Sequence, residues 1–245
     1  MFYGTTQVDW VSAGRFTIPV LYLDNHLLVV EKPPNLPVQR DASGDDDLLS
    51  LMKGYIGRVY HKPGAVYLGL CHRLDRPVGG VVALARTSKA AARLSAAFAQ
   101  RQVSKSYLAV VEGALSERLE LTDYLIKDER SGMVSVVDPS VPGAKEARLI
   151  TQPVATCQGL TLVSVTLLTG RAHQIRVQHR AAGHPLWGDA RYGSGRPGQQ
   201  IALWAHELGL THPTRREALV FRSLPPQEGA WTQFSDLLGW AVRPD

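Results

Sequence analysis

Cysteine is nearly absent: Cys71 and Cys157 are the only two in 245 residues, and they stand far apart. They fit neither a disulfide framework nor a metal-ligand spacing, so a reducing compartment, the cytoplasm, is the expected location. No apolar run approaches the roughly 20 residues that a membrane span needs. The start, Met1-Phe2-Tyr3-Gly4-Thr5, lacks the basic and apolar segments of a secretory signal. There is no internal repeat, no low-complexity tract and no Gly/Ser-rich linker. One domain over 1–245 is therefore expected, with 1–17 as an irregular lead-in. Acidic residues are scarce in one place: between Arg171 and Arg196, Asp189 is the only acid among five arginines and three histidines.

What is present points to a globular chain with a basic face. Hydrophobic residues make up 44% and charged residues 20%, enough apolar material for a core. The net charge is +5, and 20 of the 27 basic residues are Arg, whose planar fork suits phosphates and base edges. A polyanionic partner, nucleic acid first, follows from that density. The spacings of His173, His179 and His184 put no two on one helical face, so no metal is expected.

Ile18–Leu23 and Leu27–Val30 flank the Asp24-Asn25 turn as a hairpin. The prolines of 31–37 suggest a rigid surface loop, with Lys32 a solvated charge able to touch the edge of a nucleic acid; Lys105 reads the same way. Asp45-Asp46-Asp47 and Thr87-Ser88 mark the starts of two helices, the second running to about Gln100. Buried strands are expected at 65–70 and 81–85, and another at 105–113. The stretch 114–145 is the least regular, with a short strand at 133–137. Strands at 147–156 and 160–168 turn at Gln158-Gly159, a helix at 173–182 ends at Gly183, and strands at 204–210 and 218–224 precede a last helix bearing Trp231, Phe234 and Leu238. Local strand pairs interrupted by helices predict an α+β fold built on a largely antiparallel sheet.

The chemistry centres on Cys71-His72-Arg73-Leu74-Asp75-Arg76-Pro77-Val78-Gly79-Gly80, which sets one carboxylate, Asp75, among His72, Arg73 and Arg76. A nearby positive charge favours the ionised form, and such a carboxylate can act as nucleophile or base; a structural ion pair at a turn is the alternative. Four stretches stand together: VVEKPPNLPV at 29–38, HRLDRPVGGVVALAR at 72–86, KSYLAVVEG at 105–113, and LTGRAHQIRVQHRAAGHPLWGDARY at 168–192. In this order and spacing they resemble the RluA-type pseudouridine synthases, from about Val20 to His212. The resemblance implies the pseudouridine synthase fold, α+β with a mixed, mostly antiparallel sheet flanked by helices and a central RNA-binding cleft, without the extra N-terminal RNA-binding domain of many relatives. It implies isomerisation of particular uridines in ribosomal or transfer RNA.

Carried over by position, Asp75 matches the essential aspartate, Tyr107 the tyrosine against the target base, and Arg176 the arginine that pairs with the aspartate. Arg73 matches the arginine that takes the place of the flipped nucleotide. Arg171, His173, Lys105 and Arg180 are the further RNA-binding candidates. Val78-Gly79 replaces the usual Thr-Ser, and Ala172 a common Thr. The reaction moves the uracil from an N1 to a C5 linkage without redox change or imported group, so no cofactor or metal is expected, and the partner is RNA, with no membrane and a monomeric enzyme. A glycosidase would call for a second carboxylate. A non-catalytic RNA binder and a nucleoside hydrolase are the competing readings.

Overall fold

The computed structural model describes residues 9–61 and 63–239, which form two compact units interleaved along the chain. Within the described residues one unit comprises 9–104 and 205–223, and the other 105–204 and 224–239. The elements are α+β throughout.

The first unit begins with β1 (Asp9–Ala13) and β2 (Phe16–Leu23), paired with Val11 opposite Ile18. The irregular lead-in expected over 1–17 is thus corrected for 9–17, its first eight positions lying outside the described residues: of β1 only Val11 is buried, too weak an alternation to register as a strand. β2 turns at Asp24 into β3 (Leu27–Lys32), where the Asp24 carboxylate accepts the His26 and Leu27 amides, both at 2.8 Å. β5 (Gly79–Ala85) lies next to β3 and is buried at every position. A strand buried on both faces needs a continuous apolar run, and Gly79-Gly80-Val81-Val82-Ala83-Leu84-Ala85 supplies one.

Helix α1 (Leu48–Val59) starts at Asp47, whose carboxylate accepts the Ser50 amide at 3.0 Å; helix α2 (Ser88–Ala99) starts at Thr87, whose hydroxyl accepts the Ala90 amide at 3.2 Å. Ala90 and Leu94 of α2 pack on Leu27, Val29, Val81 and Ala83. Beyond β5 lies β11 (Leu203–Thr211), the greater part of which is in this unit, hairpinned to β12 (Ala218–Arg222). The buried strand expected at 65–70 shrinks to β4 (Gly69–Leu70); Tyr67 is 48% exposed, so the run before the Asp75 stretch lies largely at the surface. The 31–37 loop is not a surface loop either: Lys32 and Leu36 are fully buried.

The second unit orders its strands β6 (Ser104–Glu112), β10 (Leu160–Leu167), β9 (Lys145–Cys157), β7 (Leu119–Lys127), β8 (Val134–Val137). β7 has no counterpart in the sequence reading because Leu125 is its only buried residue. Helix α3 (Gln174–Ala181) ends at Gly183, φ +82°, as expected of a left-handed cap. Trp231, Phe234 and Leu238 fall on a 3-10 turn (Gly229–Phe234) and a four-residue helix α4 (Ser235–Leu238), not on one long helix, and all three are buried with Leu108, Val110, Leu162 and Trp204. Across the two units β1–β2, β2–β3, β3–β5, β11–β12, β6–β10, β10–β9, β9–β7 and β7–β8 pair antiparallel.

Gly80 is a point of close backbone approach in the first unit. Its φ is +118°, and a Cβ there would lie 2.2 Å from the Ala205 carbonyl oxygen. Both the backbone angle and the close approach of β11 demand glycine. Gly80→Ala should therefore cost about 3 kcal/mol or more in a denaturant melt, whereas Gly64→Ala, whose Cβ meets nothing within 4 Å, should change stability by less than about 0.5 kcal/mol.

Candidate active site

The Asp75 stretch is a tight turn entering β5. The Val78 amide donates to the Asp75 carbonyl at 3.0 Å, and Val78, Gly79 and Gly80 are buried while Asp75 itself is half-buried. The cluster of cations expected around Asp75 takes a different form. The His72 Nε2 accepts the Ala83 amide at 3.0 Å, and its ring stacks on Phe98 at 4.4 Å. The Arg76 guanidinium turns to the 41–45 loop, bonding Asp45 and the Ser43 hydroxyl, with Asp41 at 3.5 Å. Both side chains serve to anchor the turn. Arg73 is exposed.

The cation on this side comes from a residue read as solvated. Lys32, at the end of β3, is fully buried, and its Nζ donates to the carbonyls of Leu36 (2.8 Å), Pro33 (2.9 Å) and Arg76 (3.1 Å). Burial pushes the ammonium down to about 7, and the Asp75 carboxylate pulls in the opposite direction. Its one sequence signal was position: a lysine ending an apolar strand, directly before Pro33-Pro34.

In the second unit, Lys105 and Tyr107 lie at the start of β6, and Tyr107 pairs with Val165 near the end of β10. The chain after β10 reaches Gly170, where an added Cβ would lie 3.1 Å from the Lys105 Nζ. Lys105 and the Arg171 backbone are therefore neighbours, and Tyr107 is half-buried. The loop into α3 is fixed by side chains. The Thr169 hydroxyl and the Arg171 amide donate to Gln174 Oε1 at 2.8 and 3.0 Å, and Arg171 Nε donates to the Glu146 carbonyl at 2.9 Å. His173, at the α3 N-cap, holds a left-handed backbone, φ 51°.

Arg176 is buried, and its Nε and Nη2 donate to the two oxygens of Asp189 at 2.8 and 2.7 Å. A two-pronged pair fixes the plane of the guanidinium as well as its position. Asp189 also accepts the Arg191 and Tyr192 amides at 2.9 and 3.1 Å. Burial raises its carboxyl, but the Arg176 fork and those amides outweigh it and hold the group below the usual range. Tyr192 braces the rest: its hydroxyl accepts the Val134 amide at 2.9 Å and meets His173 Nδ1 at 2.7 Å, its carbonyl accepts Arg180 Nη1 at 2.7 Å, and the Arg176 guanidinium lies 5.0 Å from its ring centre. Arg171, His173, Arg176 and Arg180 are thus brought onto one short helix and its entry loop. Asp189 and Tyr192 went unassigned in the sequence, although both stand in the Gly188-Asp189-Ala190-Arg191-Tyr192 stretch.

His179, a member of the histidine trio, is a core residue. It is fully buried, with Nδ1 bonded to the Ile175 carbonyl at 2.8 Å and Nε2 to the Thr151 hydroxyl at 3.0 Å; burial lowers it to about 4, so it is neutral at physiological pH.

Asp189→Asn should cost about 3–5 kcal/mol, because it breaks the buried two-pronged ion pair between Asp189 and Arg176. The depressed carboxyl gives stability that is complete above about pH 4 and lost as pH falls through the lower folded value. Urea melts from pH 3 to 7 should show that acid-side loss in the wild type and a flatter profile in the variant.

Comparison with known proteins identifies the family. Residues 26–181 match the family model described as RNA pseudouridylate synthase, a span that holds Asp75, Tyr107 and Arg176. A "Ribosomal large subunit pseudouridine synthase D" of Nitrosomonas europaea is 31% identical over 93% of this chain and 68% of its own length. An "Uncharacterized RNA pseudouridine synthase YjbO" of Bacillus subtilis is 32% identical over 90% of this chain and 77% of its own, and a "tRNA pseudouridine synthase C" of Haemophilus ducreyi is 27% identical over 91% and 96%. Among solved structures, human RNA Pseudouridylate Synthase Domain Containing 4 shares the fold, with a TM-score of 0.72 at 22% identity over 89% of this chain and 92% of that one. The resemblance read from the four motifs is borne out: this chain belongs to the RNA pseudouridylate synthase family and is an isomerase that converts uridine in RNA to pseudouridine.

Proposed function

We propose that this enzyme acts on specific uridines of ribosomal or transfer RNA, as a monomer, with Asp75 as its essential carboxylate. The observation that carries this reading is the Asp75 turn itself. A carboxylate on a turn locked by a carbonyl bond, a glycine-only entry to β5 and a buried lysine has a fixed position, which is what chemistry at one sugar carbon requires. The relatives named for ribosomal and transfer RNA support the substrate class.

Breaking the bond from uracil N1 to the sugar needs a group that attacks the anomeric carbon or removes a sugar proton, and one ionised carboxylate suffices for either. The departing uracil spreads its charge over its own carbonyls, turns, and rejoins through C5, whose hydrogen is then lost to solvent. The freed base must be retained and water excluded, the role proposed for the Tyr107 ring. Arg176 is the guanidinium that the resemblance assigns to Asp75, and Asp189 holds its plane. The two compact units serve as one catalytic domain in this proposal. The target nucleotide has to be extruded at a cost of a few kcal/mol, with Arg73 occupying its place. Arg171, Arg180, Lys105 and His173 offset that cost by contacts to the RNA backbone.

Incubation with RNA carrying tritium at uridine C5 should release tritium while pseudouridine stays in the chain; free uracil would indicate a hydrolase, and no release on ribosomal or transfer RNA a binding protein. Asp75→Asn should abolish release while RNA affinity stays within about threefold, since it removes a charge from the reaction and not from the RNA contacts. Turnover above about a hundredth of wild type would refute the role of Asp75. Arg180→Gln should weaken binding and reduce the slope of log affinity against log salt by about one.

A further inference from the structure

We infer that this enzyme carries a second RNA surface, away from the Asp75 turn. On it, unpaired bases of the substrate stack against Tyr60 and Tyr67, while Arg58, Arg86, Lys89 and Arg93 hold the flanking phosphates. The inference rests on the RNA substrate shared by the family and not on the role proposed for Asp75. Charge along this part of the chain is one-sided. Between Asp47 and Glu112 there is one acid, Asp75, against ten lysines and arginines. Such a stretch is the electrostatic footprint of a polyanionic partner.

Exposed aromatic rings fall in the same stretch. Among the described residues nine large hydrophobic side chains are exposed, and three of them, Val59 (45%), Tyr60 (40%) and Tyr67 (48%), lie between the end of α1 and β4. Neighbours fix both rings. The Arg86 guanidinium lies over the Tyr60 ring, 4.2 Å from its centre, and its Nη1 donates to the Tyr60 hydroxyl at 2.9 Å and to the Asp24 carbonyl. Arg86 follows Ala85, which pairs with Gly69, and the Tyr67 hydroxyl lies 2.9 Å from the point that a Gly69 Cβ would occupy. The Ala91 Cβ of α2 stands 2.7 Å from that same point, so both tyrosines lie near the start of α2.

The cations surround them. Lys89 and Arg93, four positions apart on α2, are exposed, and so is Arg58 in the last turn of α1. Neighbouring acids are engaged within the protein: the Asp24 carboxylate accepts the His26 and Leu27 amides and bonds Tyr22 and His212, and Asp9 bonds the Tyr55 hydroxyl at 2.6 Å. Arginine and lysine meet phosphate, whereas a tyrosine face meets a base, and only an unpaired base can be splayed onto it. A duplex would use the cations and leave the rings idle, so a single-stranded segment fits better. Arg86 covers one face of Tyr60 and holds the ring still, which lowers the ordering cost of stacking on what remains exposed. The site stands at the far end of β5 from Gly79, roughly 20 Å along the strand, and so receives a segment beyond the target uridine.

A labelled oligoadenylate of about twelve nucleotides tests this by fluorescence anisotropy, because it offers unpaired bases and phosphates but no uridine for the catalytic site. Tyr60→Ala and Tyr67→Ala should each weaken binding about fivefold or more without changing its salt dependence, and Tyr67→Phe, which keeps the ring, should stay within about twofold. Lys89→Gln and Arg93→Gln should each reduce the slope of log affinity against log salt by about 0.7. In the tritium assay on bulk ribosomal and transfer RNA, the alanine variants should raise KM and leave kcat within about twofold, since uniform binding is what they lose. Asp75→Asn should bind the oligoadenylate as the wild type does, so the two proposals fail separately. Alanine variants that are folded by urea melt yet bind as wild type would overturn the inference and leave the rings to a protein partner. A phenylalanine variant as weak as alanine would overturn it as well.

Discussion

A buried ammonium with three carbonyl partners is the constraint on which the Asp75 half of the structure depends. Burying a lysine is costly, and the Lys32 site offsets the cost by leaving none of its three protons without an acceptor. The geometry that results is stiff. It joins the end of β3 to the residue after Asp75, while Gly80 lets β5 approach the Ala205 backbone where no side chain fits. Asp75 therefore sits on a turn fixed by backbone groups, and its flanking side chains are free to anchor the turn to the 41–45 loop and to Phe98.

The other unit uses the same principle with different residues. Arg176 is a large charge in a buried place, and it is tolerated because Asp189 takes two of its nitrogens in a planar fork and is itself held by two amides. Tyr192 then connects that pair to His173, Arg180 and the β8 edge. In both units, ionisable groups are held by backbone atoms or by a paired counter-ion, so their directions are set before RNA arrives. That preorganisation is what electrostatic catalysis requires.

Much of this was legible in the sequence, and the gaps have physical causes. Periodicity and caps located β2, β3, β5, β6, β9, β10 and the first three helices, because each carries a continuous or alternating apolar pattern. β1 and β7 escaped because each buries a single residue, Val11 or Leu125. The Asp75 stretch stood out by its dense charge, but which charges face one another is a property of the turn: Arg76 and His72 lead away, and Lys32 arrives from 43 positions earlier. Proline-rich sequence argued for a surface loop, and a lysine beside it for solvent. Only the cage of carbonyls reverses that, and carbonyls leave no trace in residue identity. Asp189 was visible as the one acid in a basic run, yet its partnership with Arg176 depends on how α3 packs.

The claim beneath all of this is that a single turn-borne carboxylate makes this chain a uridine isomerase. Pseudouridine mapping across ribosomal and transfer RNA tests it most directly, in cells lacking the gene and in the same cells given back the wild-type or the Asp75→Asn form. The account predicts that one or a few pseudouridines vanish, return with the wild type and stay absent with the variant. A full set of pseudouridines retained without the gene, or lost sites that return with the variant, would contradict it.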